Sequence, residues 1–143
     1  MNGDAVSRGV VDTNIVIHLA ALDPTELPEQ LVLSAVTLAE LSAGPHHTDD
    51  PAERARRTAV LQHAEATFDP LPFDAEAARA FGLVSAAVLA AGRTPRRRIA
   101  NLMIASVAIV NRLLLYTTNP AGFTGLNHLL TVVPVQRPGT ISS

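Results

Sequence analysis

The stretch Gly9-Val10-Val11-Asp12-Thr13-Asn14 constrains this chain more than any other. Two β-branched residues after a glycine read as a short buried strand, and Asp12 then opens a turn into a helix. In an open α/β sheet, ligands bind in the crevice outside the carboxyl ends of the parallel strands. A carboxylate there can face a ligand while its backbone is held rigidly. Asp is also a favoured helix N-cap, so Asp12 by itself has a purely structural explanation. The functional one gains weight only if later polar residues fall at the same crevice.

The rest of the chain alternates strand and helix signals. Residues 15–20 read as a short helix closed by the turn Asp23-Pro24, and residues 24–30 as a further helical turn or loop. Leu31-Val32-Leu33 is a second buried strand, and Ser34 caps a helix over residues 36–43 that stops at Gly44-Pro45. His46-His47-Thr48-Asp49 reads as a polar loop. Asp50-Pro51-Ala52-Glu53 is a helix start with Asp as cap, Pro at the first position and Glu three residues after the cap. That helix runs to about Thr67, and its Arg54, Arg56 and Arg57 read as a solvated face. Pro70-Leu71-Pro72 suits a short edge strand, since prolines forbid a central one. Asp74 caps an Ala-rich helix ending near Gly92. Residues 97–111 form a helix apolar nearly all round, hence central. Leu113–Tyr116 and Thr131–Val133 are strands, and residues 137–143 a tail. The expectation is a single α/β domain over residues 1–143, with its core in 9–136: a three-layer α/β/α sandwich with a mostly parallel central sheet.

Composition narrows the chemistry. Aromatic residues make up 3% of the chain, too few for a platform on which single-stranded bases stack. The net charge of −2 gives no global attraction to polyanions, so any such attraction is local. There is no cysteine, which excludes disulfide and thiolate chemistry. Met1-Asn2-Gly3-Asp4 lacks the basic and apolar regions of a signal peptide. The most apolar run, residues 99–116, is interrupted by Asn101, Asn111 and Arg112 and reads as a buried helix and strand, not a membrane span.

Four polar residues stand at strand ends or among apolar helix positions. Asp12 and Asn119 end strands; Glu40 and Asn101 sit inside apolar helices. Glu40 also fits a solvent face, because Thr37, Glu40 and Gly44 share one side of their helix. Asn101 also fits a core amide bonded to a neighbour. Gathered around one pocket, the four would make an oxygen-only site. Clustered carboxylates resist ionisation unless a cation joins them, and oxygen donors suit Mg²⁺ or Mn²⁺, whereas zinc calls for Cys or His. Arg93, Arg96, Arg97 and Arg98 form the one concentrated basic run, which reads equally as a solvated helix start or as phosphate contacts. A hard cation beside such contacts points to phosphodiester hydrolysis. A haloacid-dehalogenase-type phosphatase would need a second Asp two residues after Asp12, where this chain has Asn14. A dinucleotide fold would need a Gly-rich first turn, which is absent.

Four segments carry a resemblance: Val11-Asp12-Thr13-Asn14; Leu38-Ala39-Glu40-Leu41 with Gly44; Arg98-Ile99-Ala100-Asn101 through Ala105; and Tyr116-Thr117-Thr118-Asn119-Pro120-Ala121-Gly122-Phe123. In this order and spacing, over residues 10–135, the chain resembles PIN-domain proteins, in particular VapC-type ribonuclease toxins of bacterial type II toxin–antitoxin pairs. The resemblance implies a parallel-sheet sandwich, Mg²⁺-dependent (or Mn²⁺-dependent) RNA cleavage in the bacterial cytoplasm, a homodimer, and a small antitoxin whose C-terminal segment occupies the groove. Asp12 and Glu40 match the family's first two acids and would bind the ion. Asn101 stands where the family carries a third, completing the shell as an amide. Asn119 would orient the attacking water, with Asn14 and the hydroxyl of Thr117 in support. Gly122 replaces another frequent Asp. Arg93, Arg96, Arg97 and Arg98 are candidates for RNA or antitoxin contact. The alternative function is an activity-impaired PIN module that binds antitoxin or RNA, with Asn101 in place of the third acid.

Overall fold

The computed structural model describes residues 6–139. Its elements, in chain order, are β1 (Arg8–Val11), α1 (Thr13–Ile17), β2 (Gln30–Val32), α2 (Ala35–Ala43), α3 (Pro51–Thr67), α4 (Ala75–Ala90), α5 (Ile99–Val110), β3 (Leu114–Thr117) and β4 (Val132–Pro134). The four strands are all parallel, in the order β2-β1-β3-β4. Gly9 is required by this arrangement: a Cβ at that position would overlap the Tyr116 ring on β3.

Successive strand residues point to opposite faces, and β1 shows the consequence. Val10 joins a core built from Val84 and Val88 of α4 and Leu102, Ile104 and Ala105 of α5. Val11 joins a second core with Ile15 of α1, Leu41 of α2 and Ala64 of α3. Helices therefore cover both faces of the sheet, as expected of the three-layer sandwich. Leu102 and every residue from Ile104 to Ala108 are buried, so α5 is the central helix that its all-round apolar sequence requires.

Helix ends follow local chemistry. Ser34, Asp50 and Asp74 accept from the backbone N–H of Val36, Glu53 and Ala77 at 3.0, 3.2 and 3.0 Å. Leu71 makes a parallel bridge with Ser34, the edge pairing expected between its two prolines. Several boundaries differ from the sequence expectation, among them that of the first helix, which spans Thr13–Ile17 and not residues 15–20. Residues 44–47 continue α2 as a 3₁₀ turn instead of a loop. Pro95–Arg98 form another 3₁₀ turn, and α5 begins only at Ile99, because Arg98 leaves the helical region at φ −135° and ψ 23°. Residues 1–5 and the end of the tail, 140–143, lie outside the described residues.

β1 is followed in sequence by β2 on one side of it, whereas β3 lies on the other. The strand order thus reverses between β1 and β3, and the crevice at a reversal opens at the strands' carboxyl ends. Asp12 follows β1 there, and Thr117 is the last residue of β3.

Candidate active site

Asp12 is 4% exposed. Its backbone N–H donates to Tyr116 O at 3.0 Å, which carries the strand pairing one residue past β1. Oδ1 accepts from the Thr13 N–H at 2.7 Å, and Oδ2 from the Thr117 hydroxyl at 2.9 Å. The first of these bonds is the helix cap; the second ties the carboxylate to β3. Asp12 is thus both a cap and a residue of the crevice. Burial pushes its carboxyl above the ordinary value, overriding the lowering pull of the Thr117 hydroxyl and the Thr13 amide. The Thr117 oxygen also accepts from Asn119 N–H at 2.9 Å, so one hydroxyl holds Asp12 and the start of the following turn together.

Glu40 reaches the same crevice from α2. It is exposed, so its place in an apolar helix involves no buried charge. The Thr13 hydroxyl bonds to Glu40 Oε1 and, at 3.1 Å, to the Thr37 hydroxyl. A hydroxyl has one proton. Glu40 as carboxylate can only accept, so Thr13 donates to Glu40 and accepts from Thr37. Thr37 is fully buried, which corrects the reading of the Thr37–Glu40–Gly44 side as a solvent face. Neither Thr13 nor Thr37 stood out in the sequence as a site residue. The available signal was spacing: Thr13 follows Asp12 directly, and Thr37 lies three residues before Glu40, hence on its face.

The third edge comes from α5 and the turn after β3. A Cβ placed on Gly122 would lie 2.8 Å from Asn101 Nδ2 and 3.3 Å from Asn119 Nδ2. The two amides and the bare glycine therefore share one small space. Arg98 is half-buried and donates to Gly122 O at 3.4 Å, so it braces this turn. Arg93, Arg96 and Arg97 are exposed. Asn14 is exposed on the first turn of α1, where its carbonyl accepts the closing bond from His18.

The match to the PIN domain model covers residues 9–124. The chain belongs to the PIN-domain family. Members generally depend on a divalent metal. The chain is similar to Ribonuclease VapC5 of Mycobacterium tuberculosis, with 34% identity over 129 residues, covering 88% of this chain and 93% of that protein. Among solved structures it is similar to VapBC-5, a toxin–antitoxin system of the same organism, with 32% identity and a TM-score of 0.78 over 92% of this chain and 99% of that one. The fold is shared as well with VapBC2 of Rickettsia felis bound to a promoter DNA fragment, at 18% identity and a TM-score of 0.69 over 90% and 99% of the two chains.

Among the described residues of this PIN domain, no three His, Cys, Asp or Glu side chains gather to hold an ion. The donors available at the crevice are two carboxylates, Asp12 and Glu40, and the amide oxygens of Asn101 and Asn119. An all-oxygen set of this size, completed by water, fits one hard divalent cation. Asp12 adds a specific reason for the fit. It is a buried carboxylate that accepts from an amide and a hydroxyl, and among the described residues no arginine pairs with it. A cation would offset the desolvation that raises its pKa. No helix among the described residues is long and apolar enough to cross a membrane.

Proposed function

We propose that this PIN domain is the toxin of a type II toxin–antitoxin pair, an endoribonuclease that hydrolyses RNA phosphodiester bonds with Mg²⁺ or Mn²⁺. The observation that carries this reading is Asp12: a buried carboxylate at the reversal of strand order, fixed through both oxygens and joined by Thr13 to Glu40. The likeness to a ribonuclease over most of the chain supports it.

Asp12 and Glu40 hold the ion, and the Asn101 amide completes the protein's share of the shell. A bound hard cation supplies Lewis-acid stabilisation of charge on the phosphoryl oxygens and acidifies a water. Thr117 keeps Asp12 aimed at the crevice, and Thr13 does the same for Glu40. Asn119 orients the attacking water, with Asn14 on the crevice rim. Water adds to phosphorus, the bond from phosphorus to the leaving sugar oxygen breaks, and that oxygen takes a proton from solvent.

The partners follow from the same site. A small cognate antitoxin places its C-terminal segment in the groove and blocks access in the bacterial cytoplasm, where the toxin acts as a homodimer. A cavity of about 650 Å³ beside Glu40, walled by Thr13, Ile17, Leu41 and Val60, offers such a segment both apolar and acidic contacts. The test is cleavage of single-stranded RNA by purified protein with Mg²⁺. Asp12→Ala is expected to lower the rate about a thousandfold, the scale of several kcal/mol of metal-borne charge stabilisation. Unchanged metal-dependent cleavage by Asp12→Ala would overturn the assignment.

A further inference from the structure

The bend between α4 and α5 encloses a concavity of about 460 Å³. Its walls are Ala91, Gly92, Arg93, Thr94, Arg97 and Arg98. Gly92, at φ 77°, turns the chain back on itself, and the N–H groups of Gly92 and Arg93 close the end of α4 by donating to Leu89 O and Val88 O. One arginine would answer the partial negative charge at the end of α4. Three line this hollow, and among the described residues the ion pairs are those of Glu53 with Arg56 and Arg57, so none of the three is spent on a carboxylate.

The surroundings hold no competing acid from the same part of the chain. Residues 77–143 contain no Asp or Glu at all. Glu76 lies at the far end of α4, about 22 Å away along the helix axis at 1.5 Å per residue. Guanidinium presents a planar fork of donors that matches a phosphate's oxygens in pairs. The pocket is also joined to the crevice. Arg98, in its wall, donates to Gly122 O in the turn beside Asn101 and Asn119, and Asn101 lies about one helical turn beyond Arg98.

We propose that this pocket holds a backbone phosphate of the RNA strand, outside the scissile bond, gripped by Arg93 and Arg97 while Arg98 links it to the catalytic turn. The inference rests on the ribonuclease reading and deepens it. Cleavage then needs a strand long enough to reach both places, so a dinucleotide is a poor substrate. The contact reads phosphate and not base, and therefore adds affinity without sequence preference.

The experiment measures binding of a short single-stranded oligoribonucleotide in EDTA across a salt series, and cleavage of it with Mg²⁺. The full chain is compared with Arg93→Ala/Arg97→Ala, with Arg97→Lys, and with Arg79→Ala as a control on α4 outside the pocket. The double variant is expected to bind roughly tenfold or more weakly and to lose about 0.7 from the slope of log affinity against log salt, the share of one phosphate contact on a single strand. Arg97→Lys should keep most of the slope, and Arg79→Ala all of it. Both alanine sites are exposed, and unchanged melting curves confirm folding. Wild-type cleavage with affinity and slope unaltered in the double variant overturns the pocket alone. A wild type that neither binds nor cuts RNA overturns the ribonuclease reading and the pocket with it. If the double variant loses binding to a polyglutamate peptide but not to RNA, the pocket is a site for an acidic protein segment and the proposal is wrong.

Discussion

Through Glu76 the chain carries all 13 of its acidic residues and four of its 11 arginines; after Glu76 it carries seven arginines and no acid. The fold interleaves these two parts. The first supplies β1 and β2, the second β3 and β4, and they meet where β1 pairs with β3. The bond from the Thr117 hydroxyl to Asp12 crosses that seam. The crevice is therefore lopsided: Asp12 and Glu40 on one edge, Thr117, Asn119, Asn101 and Gly122 on the other, and arginines beyond. Two carboxylates balance the charge of one divalent ion. A third would improve metal capture, and its absence leaves the second edge neutral next to the arginines proposed to grip RNA.

Placing an acid on the neutral edge breaks this contrast, and we expect the largest effect there. Asn101→Asp should tighten Mg²⁺ or Mn²⁺ binding about tenfold to a hundredfold, because hard-cation affinity follows the number of ligand charges. Calorimetry on both proteins measures it. Equal affinities would mean that residue 101 does not face the ion, and that the site is built from Asp12 and Glu40 alone. Cutting the seam itself comes next. Thr117→Val leaves a buried carboxylate short of a donor and Asn119 N–H short of an acceptor, at a cost of about 1–3 kcal/mol. Urea unfolding reads the loss, and Thr117→Ser should restore most of it by returning the hydroxyl.

A smaller, more local effect tests the shared space on the neutral edge. Gly122→Ala drives a Cβ to 2.8 Å from Asn101 Nδ2. Crowding of this kind costs about 1–3 kcal/mol, at the lower end where a side chain can swing away. If the two positions share one space, Asn101→Ala/Gly122→Ala should be more stable than the sum of the single changes predicts. Additive losses would separate the two residues.

What the sequence disclosed and what it withheld divide along physical lines. β1, the three capped helices and the edge character of Leu71 between two prolines were legible because each is signalled by residues adjacent in the chain. The convergence of Asp12 with Thr117 was legible only through the family resemblance, since 105 positions separate them. Thr37 was misread because a polar residue on a helix ordinarily marks water. Only the packing of α1 against α2 makes it a buried donor to Thr13. Likewise, four consecutive-looking arginines hide different surroundings: Arg98 braces Gly122, whereas Arg93, Arg96 and Arg97 are exposed. The division of charge at Glu76 is plain in the sequence, but it has no meaning until the strand order shows where the two parts touch.

The finest test of the contrast between the edges is the proton on Asp12. Its carboxyl is raised by burial, so the folded protein without metal binds a proton there more tightly than the unfolded chain does. Between the ordinary Asp value and the raised one, folding takes up a proton, and stability falls as pH rises through that window. The contribution is fully present below the ordinary value and lost above the raised one. Other carboxylates act oppositely: hydrogen bonds from Thr25 lower Asp23, and those from Arg57 and Arg56 lower Glu53. The informative quantity is therefore a difference, the melting temperature of Asp12→Asn minus that of the wild type, with metal removed. It should be more positive near neutrality than in acid, because the variant is spared the ionisation that burial opposes. Saturating Mg²⁺ should shrink it at neutral pH by stabilising only the wild type. A difference that instead grows towards acid would mean that the bonds from Thr117 and Thr13 outweigh burial. Asp12 would then be a settled carboxylate with no electrostatic need for a cation.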